Sequence, residues 1–245
     1  MIPIYEPKGK AKEYCDLAIN IYTGCNHGCV YCYAPRVLHK TREQFADVEP
    51  RKGIVDALKK QLETEDIKDR EIQLCFTCDP YPADIDTSVT REVIEVIKNS
   101  GNHVRILTKG GNRALRDFDL LDGGDWFGVT FISFLESKAE KLEPHAAPNL
   151  ERLSTLESAH KKGIKTWVSC EPVYHPASVY DLIADENYID MYKIGKLNYA
   201  PSDIDWGEFG RECERLCREH ERDYYIKDDL RKCMERAASQ TRMEG

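Results

Sequence analysis

Three cysteines lie close together near the start of the chain, as Cys25, Cys29 and Cys32 in a C-x3-C-x2-C arrangement. Thiolates are natural ligands of iron–sulfur clusters, and three of them on one tight loop leave one iron of a [4Fe-4S] cluster without a protein ligand. Gly24 and Gly28 allow the loop to curl so that backbone N–H groups approach the cluster sulfurs. The spacing therefore predicts a cluster whose open iron binds a substrate or cofactor.

Two other kinds of metal site use cysteines in a similar way. A structural zinc site is closed by four ligands, and no obvious fourth ligand completes this loop. His27 lies inside the loop and points elsewhere if its neighbours bind the metal. An electron-transfer ferredoxin loop needs a fourth cysteine at a fitting distance. We therefore favour the open cluster over both alternatives.

The elements that must position this loop alternate between short β-rich runs and segments of helical period. This alternation is typical of repeated βα units around a mostly parallel sheet. Six strands are predicted, at residues 17–22, 72–77, 103–108, 127–132, 165–169 and 188–194. Helices are predicted between them at 53–63, 88–98 and 150–162, and after them at 206–221 and about 228–238, with a short run at 224–226. The cysteine loop follows the first predicted strand.

Length and composition favour a single intracellular domain. The 245 residues are 41% hydrophobic, which suits one domain with a core at about 16–200 and a C-terminal helical extension at about 201–245. We expect a cytoplasmic protein, because no stretch resembles a membrane span or a signal peptide. Ten cysteines in such a chain indicate metal binding or thiol chemistry rather than disulfides. The net charge of -8 argues against electrostatic coating of nucleic acid, although a local basic groove stays possible.

The cysteine loop, with Tyr31 before the last cysteine, resembles that of the radical S-adenosylmethionine (SAM) superfamily. Later stretches resemble the spore photoproduct lyase-like branch, often labelled DNA repair photolyases. They read CFTCDPYP, ILTKGG, GVTFISF, LEPHAAPNLERL and GIKTWVSCEPV. The resemblance covers most of the chain. It implies a partial (β/α)6 radical SAM barrel with a predominantly parallel sheet and C-terminal helices.

The resemblance also implies the cofactors and the reaction. A [4Fe-4S] cluster binds SAM through its amino and carboxylate groups, and one electron breaks a carbon–sulfur bond to give methionine and a 5′-deoxyadenosyl radical. The electron comes from a donor such as flavodoxin or ferredoxin, and the radical takes a hydrogen atom from the substrate. The resemblance implies a nucleic-acid base or nucleotide as the substrate and a lyase-type reaction. One alternative is a radical SAM enzyme that acts on a peptide or small metabolite. The other is a non-catalytic zinc or iron–sulfur binding module.

Candidate cofactor contacts lie where the predicted strands end, because ligands gather at the carboxyl ends of parallel strands. Thr77, Lys109, Thr130 and Glu171 are at such positions. The resemblance implies that Lys109 faces SAM and that Thr130 bonds the SAM ribose. Alternatively, Lys109 is an ordinary solvent-exposed loop lysine. Thr130 is alternatively a strand threonine that is present for its β propensity.

Three further candidates have structural alternatives of their own. The resemblance implies that Arg152 grips the SAM carboxylate, but an ion pair with Glu143 or Glu151 is equally open. We expect Tyr33 to pack on the adenine or to cover the cluster, and the alternative is that its ring only fills the core. Tyr31 occupies the superfamily's aromatic position.

Cys78 is the candidate catalytic thiol. It follows the second predicted strand, and lesion-repair members of the branch use a cysteine nearby as a hydrogen-atom donor. Cys75 also lies nearby, and neither cysteine falls securely on the family position. Because alternate strand residues face opposite sides, we expect Cys75 to be a buried strand residue and Cys78 to face the cavity. Cysteines 213, 217 and 233 are expected to be buried free thiols rather than ligands of a second cluster.

Overall fold

A computed structural model describes residues 2–198 and 200–243 of the chain. Its centre is an eight-stranded sheet in which the strand order follows the sequence order. The first pair of strands is antiparallel and all later pairs are parallel. The strands are β1 (Ile4–Tyr5), β2 (Leu17–Ile19), β3 (Glu71–Leu74), β4 (His103–Thr108), β5 (Trp126–Thr130), β6 (Lys165–Cys170), β7 (Met191–Ile194) and β8 (Tyr224–Ile226). The expected α/β fold with a mostly parallel sheet is confirmed.

Helices connect the parallel strands. They are α1 (Ala34–Val37), α2 (Arg42–Ala46), α3 (Ile54–Thr64), α4 (Ser88–Asn99), α5 (Glu136–Leu142), α6 (Asn149–Lys161), α7 (Pro176–Asp185), α8 (Trp206–Glu219) and α9 (Asp228–Met243). Two 3-10 helices, Gly9–Glu13 and Gly111–Asp117, precede β2 and join β4 to β5. Within the described ranges, no helix has the length and apolar character needed to cross a membrane.

Three predicted strands end earlier in the structure than in the sequence analysis. The strand predicted at 72–77 ends at Leu74, because Cys75 has a φ of 66° that turns the chain out of the sheet. The strands predicted at 17–22 and 127–132 end at Ile19 and Thr130, where the sheet pairing stops.

The sheet is also larger than the six predicted strands. β1 joins the edge of β2, and β8 pairs with β7. The C-terminal segment contains α8 and α9, and the short run noted at 224–226 between them is β8. β1 was not predicted, because a strand of two residues shows little hydrophobic alternation.

The sheet curls but does not close in the described part of the chain, since β1 and β8 are its two edges. The segment 6–16, which we call the N-terminal strap, contacts the far edge. Lys193 on β7 donates to the carbonyl oxygens of Glu13 and Tyr14 at 2.6 and 3.2 Å. The Glu13 carboxylate accepts from the backbone N–H of Asp228 at 2.8 Å, and Lys10 donates to Asn198 at 3.1 Å. The strap thus links the two ends of the open sheet.

Trp167 fills the interior of the curled sheet. Its indole N–H donates to the carbonyl oxygen of Ile106 at 2.9 Å, so the ring reaches from β6 past β5 to β4. This position depends on Gly128, where an added Cβ would lie 2.2 Å from the indole nitrogen. Ser169 lies two residues further along β6 on the same face. Trp167 is therefore the layer directly beneath the side chains at the carboxyl end of the strands.

Candidate functional site

A cavity of about 600 Å³ opens at the carboxyl ends of the parallel strands. Its walls come from the cysteine loop, the segment after β3, the ends of β4, β5 and β6, the strap and the residue that follows β8. All of the predicted site residues except Arg152 line it, namely Cys25, Cys29, Tyr31, Cys32, Tyr33, Thr77, Cys78, Lys109, Thr130 and Glu171. Its size is in the range of sites that enclose cofactors and small substrates.

Backbone contacts hold the cysteine loop in place. The Cys25 N–H donates to the carbonyl oxygen of Phe45 on α2 at 2.9 Å, and Arg42 donates to the carbonyl oxygens of Cys29 and Val30 at 2.9 and 2.6 Å. Gly24 permits this approach, since an added Cβ would lie 2.1 Å from the oxygen of Phe45. The loop is therefore fixed by α2 before any metal binds.

The three thiols do not all lie within reach of a single metal ion in this structure. A single tetrahedral zinc with bonds near 2.3 Å places its thiolates about 3.8 Å apart. Cys25, Cys29 and Cys32 are not among the described groups whose ligand atoms all lie within 4.8 Å of one another. A wider spacing suits a cluster in which each thiolate binds a different iron. Burial raises the pKa of Cys29 to about 11, so metal binding there displaces a proton.

His27 is occupied as a structural residue and does not offer a fourth ligand. Its side chain is buried, with Nδ1 3.5 Å from the Asp79 carboxylate and Nε2 3.1 Å from the Arg113 guanidinium. Burial lowers the pKa of His27 to about 4. Asp79 also accepts from Thr108 Oγ1 at 2.6 Å and from the Lys109 N–H at 2.9 Å. This network ties the cysteine loop to the ends of β3 and β4.

Lys109 and Tyr31 face each other at the cavity wall. The Lys109 ammonium lies 5.9 Å from the centroid of the Tyr31 ring. Burial alone would lower the pKa of Lys109, but the nearby Cys29 thiol and Glu143 carboxylate raise it, so the side chain stays charged. The Tyr31 hydroxyl donates to Glu143. A half-buried cation therefore lies beside the cluster loop, where an anionic ligand group suits it.

Arg152 lies behind this wall and forms the ion pair that the sequence left open. Its guanidinium donates to the Glu143 carboxylate at 2.6 Å and to the carbonyl oxygens of Ala147 and Thr130 at 2.7 and 3.0 Å. Both charged side chains are only 2% exposed. In this arrangement Arg152 contacts Glu143, which in turn contacts Tyr31, and it does not line the cavity.

Thr77, three residues after β3, and Thr130, at the end of β5, both line the cavity. The Thr77 hydroxyl is buried and has no hydrogen-bond partner among the described residues, although the residue lines the cavity. A buried hydroxyl without a partner is costly unless a ligand satisfies it. Thr130 ends β5 and is buried at the same wall.

The wall away from the cysteines contains residues that the sequence analysis missed. The Glu171 carboxylate accepts from the Tyr14 hydroxyl at 3.1 Å, from Asn198 Nδ2 at 2.8 Å and from the Lys227 ammonium. Ser169 Oγ lies 3.1 Å from the same hydroxyl. Lys227 directly follows β8, so the rule that ligands lie at strand ends would have found it if that strand had been recognised. Tyr14 comes from the strap and carries no comparable signal.

Cys75 and Cys78 both line the cavity, which differs from the expectation for Cys75. The strand ends before Cys75, so the alternation of strand faces no longer applies at that residue. The Cys78 thiol accepts from the backbone N–H of Tyr22 at 3.4 Å. Cys213 and Cys217 are fully buried, Cys233 is half-buried, and these three do not form a close ligand group within the described residues.

Comparisons with known proteins concern the family and the fold. The model of the Radical SAM superfamily matches residues 19–181. Two curated relatives are an uncharacterized protein ORF301 of Acidianus two-tailed virus and an uncharacterized protein MJ0683 of Methanocaldococcus jannaschii. The first is 30% identical over 207 residues, covering 78% of this chain and 67% of the relative. The second is 28% identical over 192 residues, covering 76% and 68%.

Solved structures share the fold at low sequence identity. Spore photoproduct lyase complexed with dinucleoside spore photoproduct superposes with a TM-score of 0.67 and 15% identity, covering 91% of this chain and 79% of that one. Streptococcus suis SuiB bound to S-adenosylmethionine gives a TM-score of 0.62 and 10% identity, covering 85% of this chain and 49% of SuiB. These likenesses establish the fold of this chain.

Proposed function

Because the chain belongs to the radical SAM superfamily, we propose that it is an enzyme in which Cys25, Cys29 and Cys32 hold a [4Fe-4S] cluster that binds SAM. The observation that carries this proposal is the single cavity shared by the three thiols and the predicted cofactor contacts. When bound, the cluster and SAM supply a 5′-deoxyadenosyl radical, after reduction by a donor such as flavodoxin or ferredoxin. The protein binds, orients and shields the reacting groups.

The cavity residues have distinct proposed tasks toward SAM. Lys109 offers a half-buried ammonium to its carboxylate, and Thr130 offers a hydroxyl to its ribose. Thr77 has a buried hydroxyl that still lacks a partner. Tyr31, held by Glu143, covers the side of the cluster loop next to Lys109. Arg152 acts through Glu143 rather than on SAM itself.

Tyr33 and Glu171 belong to the part of the cavity farther from Lys109. Tyr33 donates its hydroxyl to the carbonyl oxygen of Phe76 at 2.9 Å, so its ring stands between the cluster loop and the segment after β3. We propose that Tyr33 covers the cluster and contacts the adenine of SAM. Glu171, with its three donors, orients Lys227 and Tyr14 toward the cavity.

The proposed substrate is a nucleic-acid base or nucleotide. Four lysines, Lys8, Lys10, Lys109 and Lys227, line the cavity although the whole chain is acidic. Lysine ammonium groups suit phosphate as point charges, and the polar wall around Glu171 suits base or sugar groups. Spore photoproduct lyase, which shares the fold, has been solved with a dinucleoside lesion. Cys78 then donates a hydrogen atom from its thiol to the substrate radical.

Cluster binding is tested with single cysteine variants. Anaerobically prepared wild type should contain iron and sulfide for one [4Fe-4S] cluster, and Cys29→Ala should lose it. Cys15→Ala is the matched control, because its thiol donates to the Glu71 carbonyl oxygen at 3.3 Å and does not line the cavity. Equal iron and sulfide in wild type and Cys29→Ala would refute the ligand assignment.

The substrate class is tested by hydrogen transfer. Reduced enzyme with SAM is given deuterated nucleotides, including ultraviolet-irradiated dinucleotides, or deuterated peptides, and the mass of the 5′-deoxyadenosine formed is measured. Deuterium from the nucleotide arm supports the proposal. If deuterium appears in 5′-deoxyadenosine only with the deuterated peptides, the nucleotide proposal is wrong and the substrate is a peptide.

A further inference from the structure

The segment Cys75-Phe76-Thr77-Cys78 forms a tight turn directly after β3. Cys75 has a φ of 66°, a left-handed conformation that is uncommon for residues other than glycine. The side-chain oxygen of Asn20 accepts from the backbone N–H groups of Phe76 and Thr77 at 2.8 and 2.9 Å. The turn therefore wraps around one amide oxygen, which brings its two ends toward the same side.

The turn places the two thiols against each other. The Cys78 thiol lies close enough to that of Cys75 to help raise the pKa of Cys75. Cys75 is 5% exposed and packs in the hydrophobic core, whereas Cys78 is only half-buried. Both thiols also line the cavity. One member of the pair is thus open to small molecules, and the other lies behind it.

Two thiols separated by two residues form the arrangement of thiol–disulfide redox sites. We propose that Cys75 and Cys78 are a redox-active dithiol, which closes to a disulfide at the cavity wall and reopens with a small thiol. Cys78 attacks a small disulfide, whose S–S bond breaks and releases one thiol. Cys75 then attacks the mixed disulfide, the Cys75–Cys78 bond forms, and the second small thiol leaves. Overall, the two protons of the cysteines pass to the two released thiols.

The order of attack follows from exposure. Cys78 meets the small disulfide first because it is the more exposed thiol. Burial raises the pKa of Cys75 well above its usual range. Cys75 therefore stays protonated until the mixed disulfide stands next to it, where an intramolecular attack needs little thiolate.

This site also bears on hydrogen transfer, and that consequence rests on the proposed function. Only the open dithiol has an S–H bond at Cys78 to give to a substrate radical. The closed form should still bind the cluster and cleave SAM, because Cys25, Cys29 and Cys32 are separate from the pair. A disulfide at this position would therefore switch off product formation without switching off SAM cleavage.

Mass spectrometry tests the disulfide directly. The full protein with its cluster is equilibrated anaerobically in mixtures of oxidised and reduced dithiothreitol, denatured with an alkylating agent and digested with trypsin. Residues 71–91 then form one peptide that contains Cys75, Cys78 and no other cysteine. In oxidising mixtures we expect this peptide to carry no alkyl group and to weigh two hydrogens less than its free dithiol form, and in reducing mixtures we expect it to carry two alkyl groups.

Single variants provide the controls. In Cys78→Ala and Cys75→Gly the remaining thiol should be alkylated at every ratio, and glycine at position 75 keeps the left-handed conformation. Cys213 and Cys217, which lie four residues apart on α8, should stay alkylated throughout and report unselective oxidation. Two alkyl groups on the 71–91 peptide at every ratio would overturn the proposal. If the disulfide forms but product formation is unchanged, the redox site stands and the role of Cys78 as hydrogen donor fails.

Discussion

Glu143 and Arg152 form a buried ion pair behind the cavity wall, and both side chains are only 2% exposed. Desolvation of two charges is costly, so such a pair contributes little when intact but leaves an expensive lone charge when one partner is removed. The pair also holds the Tyr31 hydroxyl beside the cluster loop. Its loss should therefore affect folding before it affects chemistry.

We expect Arg152→Ala to lower the free energy of unfolding by about 3–5 kcal/mol, because Glu143 would remain buried without its partner. Chemical denaturation measures this loss. The double variant Arg152→Ala/Glu143→Gln should recover at least about 1 kcal/mol of it, since the lone charge is gone. Purely additive effects of the two substitutions would contradict the ion-pair account.

At the residue level, the site could be predicted wherever a side chain follows a recognisable strand. Lys109, Thr130 and Glu171 follow long apolar runs, and all three line the cavity. Arg152 differs, because the sequence does not show whether a guanidinium meets a ligand or a neighbouring carboxylate. The position of Cys75 was not predictable either. Its own left-handed backbone conformation ends the strand, so strand alternation no longer tells which side its thiol faces.

At the level of elements, the N-terminal strap depends on Lys193. Burial disfavours the charged ammonium and lowers the pKa of Lys193 to about 8, from the ordinary 10.5. Between these two pH values the unfolded chain binds more protons than the folded chain. The contribution of Lys193 to the free energy of unfolding therefore rises with pH across this window and is smallest below pH 8.

This pH dependence can be tested by comparing the stability of the wild type with that of Lys193→Met. Relative to Lys193→Met, the wild type should gain stability on the order of 1 kcal/mol between pH 8 and pH 10. Thermal melting of both proteins at matched pH values measures the difference, and titration of other groups cancels in the comparison. A constant difference across the range would show that the ammonium is not destabilised by burial.

The layer beneath the cavity depends on Gly128, which leaves room for the Trp167 indole. We expect Gly128→Ala to cost roughly 1–3 kcal/mol of stability and to change tryptophan fluorescence, because the ring must move. Gly123→Ala is the matched control, since an added Cβ there meets its nearest neighbour at 3.4 Å. Equal melting temperatures of the two variants would show that Trp167 has space elsewhere.

Elements were predictable in proportion to their length and periodicity. The strand at 103–108 has the predicted bounds, and α8 begins at the predicted residue. β1 and β8 have two and three residues and are too short for a period to show. The strap contains a 3-10 helix with no buried residue, so no apolar pattern indicated its place across the sheet.

Across the whole molecule, the strand order follows the chain order, so each parallel strand adds one loop to the same edge of the sheet. That topology is why one short motif and a set of strand ends were enough to predict where the cavity forms. The far wall was not predictable in the same way, because it joins Tyr14, Glu171 and Lys227 from distant parts of the sequence. Substrate selection is proposed to reside in that wall.

The most direct test of the account is the fate of SAM on the anaerobically reconstituted, reduced protein. We predict slow conversion to 5′-deoxyadenosine and methionine without added substrate, absent in Cys29→Ala and retained in Cys15→Ala. Lys109→Ala should keep the cluster but require more SAM for the same rate. Liquid chromatography with mass spectrometry identifies the products. Methylthioadenosine or S-adenosylhomocysteine as the main product, or no SAM cleavage by a protein that carries its full cluster, would contradict the account.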